Sequence, residues 1–287
     1  DGNPPATLPW GDGSVANPAK ERPPGSMLGV EQREWFMQSV SASTTPWKIW
    51  ANAMPLIPMR LDMSALPFTA YEDSIFNIDG WSGYPHEVAT LMRLLESKGI
   101  AGVVSLSGDH HMHGAGTVQR STTDPQAKPV AADFTVAAIS SSPIFEDLMA
   151  VAKTDHPDFA PLVYRESAQG VEATWNITML QGVLAAFAYS KTGSQAASGW
   201  LGPNSANPGL RFVDTTINGY GLASLDGGEL QVQLVAMEDC RKAFVQPTAI
   251  SYTARFRLPL WRAGEAPQLV GPEFEGRPPF PFEPPGV

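Results

Sequence analysis

The stretch Ala101-Gly102-Val103-Val104-Ser105-Leu106-Ser107-Gly108-Asp109-His110-His111-Met112-His113 decides how this chain is read. Its first half is a short apolar run with little polar alternation, the pattern of a strand buried on both faces. Its second half places one carboxylate and three imidazoles within five residues, and the chain has only five histidines in all. Carboxylate oxygen and imidazole nitrogen are common ligands for borderline divalent metals and for iron, and a strand end holds them more rigidly than a loose loop. On an extended segment Asp109 and His111 share a face by the period-two rule, with His110 on the other. Asp109 and His111 therefore read as a metal-ligand pair. His110 and His113 stay open between ligand, catalytic, supporting and surface roles, and the bland alternative is a turn whose polar groups bond locally.

Working outward, Pro85 opens a segment in which Val88, Leu91, Met92, Leu94 and Leu95 recur at helical spacing before Gly99, which predicts a helix over 85–98. Earlier, Trp47 to Ala51 reads as a strand ending at Asn52, just before Pro55. Strand, loop, helix, strand is a crossover unit that places two parallel strands in one sheet. Ligands gather beyond the carboxyl ends of such strands, where Asn52 and Asp109 both fall. The Pro- and Met-rich connection 53–80 is long enough to be expected to serve function. Residues 29–40 suit an amphipathic helix with Val30, Phe36, Met37 and Val40 near one face. Downstream, strands are expected at about 132–139, 211–216, 219–225, 229–236 and 250–260, with Asp226-Gly227-Gly228 as a hairpin turn. Residues 177–189 are ambiguous between helix and strand. The chain divides into a Pro/Gly-rich arm or processed loop (1–27), a main body (28–262) and a Pro-rich surface strap (263–287).

At 287 residues, 43% hydrophobic and 17% charged, the chain reads as globular, and it has no apolar run near the roughly 18 residues of a membrane-spanning helix. A formal charge of −10 without any Lys/Arg cluster excludes a general nucleic-acid binder. An anionic substrate would then need bound cations, which override the sign of the surrounding protein. The single cysteine, Cys240, excludes a disulfide framework and a Cys-based zinc cluster. A start at Asp1, with neither leader nor initiator Met, raises the expectation of a processed product or fragment.

Four ordered blocks carry a resemblance. Leu28-Gly29-Val30-Glu31-Gln32-Arg33-Glu34-Trp35 resembles a Leu-Gly-x-x-Gln-x-x-Trp block, and Trp47-Lys48-Ile49-Trp50-Ala51-Asn52 a Trp-Lys-x-x-x-Asn strand. Asp79-Gly80-Trp81-Ser82-Gly83-Tyr84 resembles Asp-x-Trp-Asp-Gly-Tyr, and Leu106-Ser107-Gly108-Asp109-His110-His111 resembles Leu-x-Gly-Asp-x-His. These are blocks of the PhoD-like alkaline phosphatase/phosphodiesterase family. Ser140 to Pro143 and the segment from Asn207 to Tyr220 also fall where that family has similar stretches. Two positions depart from it: Ser82 replaces an aspartate, and Val88 stands where an arginine usually follows.

The resemblance implies an α/β (α+β) fold, a calcineurin-like metallophosphoesterase two-sheet sandwich flanked by helices, of which this chain would hold the second half. It implies hydrolysis of phosphate mono- or diesters, metal ions such as iron with calcium (zinc or manganese being alternatives), and a periplasmic or secreted address. It also implies a partner: an N-terminal half or companion chain bearing the remaining ligands. Carried over residue by residue, Asn52 joins Asp109 and His111 as a metal ligand, and His110 is the candidate to protonate the leaving group. Asp79, Trp81, Tyr84 and His113 would contact substrate or brace the ligands. Two other readings stand beside this one, a non-catalytic subunit with a decayed site and a self-contained one-metal protein.

Overall fold

A computed structural model describes residues 7–10, 13–18, 20, 23–66, 73–75, 77–124, 126–168, 170–203, 205–238, 240–242 and 248–283. The five-stranded sheet contains β1 (Lys48–Ala51), β2 (Val103–Ser107), β3 (His113–Gln119), β4 (Pro129–Thr135) and β5 (Leu210–Asp214), in the order β5-β3-β4-β2-β1. β1, β2 and β4 run parallel, while β3 and β5 are antiparallel to their neighbours. The expected crossover is thus present, and Gly102 turns the chain into β2 at φ 72°, so close to the Pro46 carbonyl that only glycine fits.

A second, four-stranded antiparallel sheet follows as β6 (Asn218–Leu225), β7 (Glu229–Met237), β8 (Ile250–Pro259) and β9 (Val270–Gly276), in that order. Its alternation is regular: Leu230, Val232, Leu234 and Ala236 on β7, and Tyr252, Ala254, Phe256 and Leu258 on β8, are buried. They pack against Val104, Ala115, Ala132, Phe134 and Phe212 of the first sheet, and this contact makes the sandwich. The opposite face of the first sheet offers Val103, Val118 and Ala131 to Leu91, Met92 and Leu95. Those leucines and the methionine belong to α2 (Pro85–Lys98), which α1 (Gly29–Ala42) accompanies. Burial of each such side chain contributes about 1.5–3 kcal/mol. The remaining helices are α3 (Ile144–Thr154), α4 (Ala160–Val163), α5 (Thr174–Gln181), α6 (Val183–Thr192) and α7 (Gln195–Leu201). The fold is the helix-flanked two-sheet sandwich that the resemblance implies.

Helix 85–98 forms with the predicted bounds, closed by Gly99 at φ 62°. The ambiguous stretch 177–189 lies in two helices, because Gly182 at φ 104° breaks the run. In α1, Val40 is buried while Val30 is 59% exposed, so the expected apolar face covers only the later turns. Within the strap 263–287, residues Val270–Gly276 form β9 at the sheet edge, and Phe274 packs against the sandwich core, a partner no local pattern displays. The arm contains a ribbon pairing Thr7–Trp10 with Gly13–Ala16, and the 53–80 connection one pairing Arg60–Asp62 with Asp73–Ile75. Other parts of the arm, of the connection (67–72 and 76) and of the strap (284–287) lie outside the described residues. No described helix is long and apolar enough to cross a membrane.

Candidate functional site

Asn52 and the 108–111 segment meet because β1 and β2 are parallel neighbours. The Asn52 amide donates to Leu106 O (3.0 Å) and the Gly108 amide to Ala53 O (3.4 Å). Beyond Ser107 the chain is not extended. Asp109 (φ 66°) and His111 (φ 49°) both adopt the left-handed conformation, and the His110 amide reaches back to Gly108 O at 2.8 Å. Left-handed residues other than glycine cost about 1–2 kcal/mol each. The period-two argument for a shared face of Asp109 and His111 therefore fails, since a tight reversal and not a strand carries them. Asp109 is exposed and His111 half-buried.

Each histidine of the cluster is held differently. His111 Nδ1 lies 2.7 Å from Ser142 O, and its own carbonyl accepts from the Ile144 amide at 3.2 Å. A carbonyl only accepts, so the proton is on Nδ1 and Nε2 keeps its lone pair. His113 is fully buried: Nδ1 accepts from the Ala137 amide (3.0 Å) and Nε2 donates to Val235 O (3.1 Å). Burial pushes its pKa down to about 4, against smaller opposing effects of Val235 O and Asp214. With both nitrogens engaged, His113 is a neutral pin between the two sheets.

His110 is only 4% exposed, and Asn77 Nδ2 lies 3.1 Å from its Nε2. Asn77 Oδ1 is taken by the Asp79 amide at 2.8 Å, so its NH2 faces the ring and His110 Nε2 accepts. The ring proton is then on Nδ1, which is buried and has no hydrogen-bond partner among the described residues. Burial lowers the His110 pKa; Asp109 opposes this and His111 adds to it. Gly80 packs close enough that a Cβ there would sit 3.1 Å from Nε2.

Asn52 Oδ1 accepts from Trp81 Nε1 (3.1 Å) and its Nδ2 approaches Ser105 Oγ (3.4 Å). Beneath them Asp133, fully buried in β4, accepts the Leu56 (2.9 Å) and Ile57 (3.0 Å) amides on Oδ2. Burial pushes its pKa up to about 6 against those two amides and the Ser105 hydroxyl. Trp81 is buried and Tyr84 half-buried; both line a cleft of about 470 Å³ with Arg60, Ser82, His86 and Arg93. Asp79 is exposed, and only its backbone serves His110, through Asn77. Ser82 accepts from the Met59 amide (3.2 Å), and Val88 packs with the α2 cluster, so both departing residues have local roles.

The structure thus gathers Asn52, Trp81, Asp109, His110 and His111 at one sheet end and sets His113 between the sheets. Among the described residues, no group of three His, Cys, Asp or Glu side chains converges as a metal site. Sequence reasoning missed Asp133, Asn77 and Asn218. Only Asp133 had a visible signal, a charge within the apolar run Val130 to Val136.

A helix-flanked α/β sandwich with a polar cluster beyond its parallel strand ends belongs to the class of folds that bind ligands at that edge. Residues 5–176, over half of the chain, match the PhoD-like phosphatase family, and the chain belongs to that family. It is 28% identical over 131 residues to alkaline phosphatase D of Bacillus subtilis (strain 168), covering 45% of this chain and 21% of that protein. It shares its fold with a solved structure of PhoD at TM-score 0.50 and 15% identity, over 85% of this chain and 35% of the other. The chain thus spans well under half the length of either relative.

Proposed function

We propose that this chain carries part of a metal-dependent phosphoesterase site that hydrolyses phosphate mono- or diesters, completed by an N-terminal half or companion chain. The observation that carries this reading is the tight reversal beyond β2, which presents an exposed Asp109 carboxylate and, two residues on, His111 with Nδ1 on Ser142 O and Nε2 left available. Family membership supports phosphoester hydrolysis. The need for outside ligands is supported by the lack of a convergent three-residue group among the described residues.

The donors fit a metal. Imidazole with carboxylate suits iron, zinc or manganese, and the Asp109 and Asn52 oxygens suit calcium. Such ions, when bound, polarise a phosphoryl oxygen and lower the pKa of water. The chain's own residues do the rest. Asp109, His111 and Asn52 hold the ions; Trp81 orients the Asn52 carboxamide so that one oxygen lone pair remains. His110 is assigned to the leaving oxygen, which its Nδ1–H would hydrogen-bond; transferring a proton to that oxygen requires the imidazolium, which burial disfavours. Tyr84 is assigned to the substrate, although the cleft it lines includes none of Asn52, Asp109, His110 and His111; the Asp79 amide fixes Asn77 behind His110, and His113 ties the strand after the reversal to the second sheet. A periplasmic or extracellular address belongs to the same reading, and cell fractionation tests it.

The test is metal content together with hydrolysis of an aryl phosphate and an aryl phosphodiester in the intact native protein. Asp109→Asn and His111→Ala should lower both metal content and rate, the rate by orders of magnitude, with circular dichroism unchanged. Full metal occupancy and unchanged rates in Asp109→Asn would end the reading. The alternative of a non-catalytic subunit draws on Ser82, whose hydroxyl serves the Met59 amide where relatives carry aspartate. It predicts a native protein without stoichiometric metal.

A further inference from the structure

We infer that Asn218, far from the strand-end cluster in sequence, is a positioning residue for the His111 imidazole. It opens β6 in the second sheet and is 7% exposed. Its Nδ2 donates to Ala138 O (3.0 Å) and to Ser141 O (2.6 Å), so the side-chain NH2 is committed to the connection between β4 and α3. The next carbonyl along, Ser142 O, accepts from His111 Nδ1 at 2.7 Å.

Val136, Ala137 and Pro143 at the two ends of that connection are packed or buried, but its middle has little packing of its own. Ile139 is 76% exposed, and Ser140 and Ser141 are exposed. Polar contacts therefore hold it: the Val136 amide to Ser107 O, the Ala137 amide to His113 Nδ1, the Gly219 amide to Ala138 O and the Ile144 amide to His111 O. Asn218 cannot drift, because a Cβ on the adjacent Gly219 would collide with Val235 O, which places that backbone hard against β7. The acceptor for His111 is a backbone carbonyl, so the Ser142 side chain has no direct part in that bond. His113 at Ala137 and the Cys240 thiol at Ile139 O (3.0 Å) also hold this connection, but Asn218 bonds the carbonyl adjacent to Ser142 O and so places it, which fixes the tautomer and leaves Nε2 for a ligand.

The tautomer requires neither metal nor substrate and is read by ¹⁵N NMR of the imidazole nitrogens in the metal-stripped intact protein. Wild type and Ser142→Ala should both show the Nδ1–H tautomer at His111. Asn218→Ala should show a mixture and, on the phosphoesterase reading, lose about 10–100-fold in hydrolysis rate, as outer partners of metal ligands do. If Asn218→Ala does not fold, Asn218→Ser keeps one donor and should show an intermediate mixture. An unchanged His111 tautomer in the folded variant overturns the proposal, as does a tautomer change with an unchanged rate in an active enzyme. Absence of hydrolysis by wild type refutes the phosphoesterase reading alone, and the tautomer comparison still decides the role of Asn218.

Discussion

At the scale of single residues, His113 shows how one position changes meaning once its partners are known. In the sequence it belongs to a histidine cluster; in the fold both of its nitrogens are consumed by backbone groups, the Val235 carbonyl of the second sheet and the Ala137 amide just beyond β4. Truncation to alanine would strand the buried Ala137 amide and Val235 carbonyl, each costing about 1–3 kcal/mol, and would leave a cavity besides. His113→Ala is therefore expected to lose about 3–5 kcal/mol in urea unfolding. A loss below about 1 kcal/mol would show that the pin does not hold the sheets together.

At the scale of elements, the loop after β1 is fixed from below. Asp133 takes the Leu56 and Ile57 amides and approaches Ser105, which approaches Asn52. This carboxyl carries a pKa of about 6 in the fold, against about 3.9 when unfolded. A folded value raised above the unfolded one means the folded state binds the extra proton. Stability from this group is thus fully present below pH 3.9 and is lost as pH rises to about 6. At 1.36 kcal/mol per unit, about two units make about 3 kcal/mol. Relative to wild type, Asp133→Asn should gain about that much between pH 4 and pH 7, measured by denaturant midpoints; a flat difference would refute it. Helix α2 is simpler: Gly99→Ala must hold φ 62° and approach Ala263, so a cost of about 1 kcal/mol is expected from thermal unfolding.

For the whole molecule, the first sheet ends on β1, which pairs only with β2 among the described residues, and Ile49 on that strand is 45% exposed. Every open sheet ends in edge strands, and an unpaired edge presents a row of donors and acceptors with which a further strand can pair. The proposed N-terminal half would offer a strand to this edge. Native mass spectrometry of the protein from its source should therefore give a species above the 30.8 kDa of this chain. Hydrogen exchange should find the outward amides of Lys48–Ala51 protected in that species. A native species of 30.8 kDa, with that edge exchanging freely, would refute the companion segment.

What this sequence determined by itself was the part set by local terms and by composition. Pro85 and Gly99 bound α2 because a fixed φ at one end and a left-handed one at the other act within a turn. The strands at 229–236 and 250–260 could be read from the chain, and the Asp109–His113 run marked the candidate site, since such a density of imidazole is legible without coordinates. Only the tertiary structure decided which histidine is available. The left-handed turns at Asp109 and His111, the two bonds of His113, and the reach of Asn218 to Ser141 all depend on strands distant in sequence. So does the addition of 270–276 to the second sheet, where Phe274 meets the core. A hydrogen-bond partner across two sheets leaves no periodic trace in the chain, and its energy appears only when both sheets are in place.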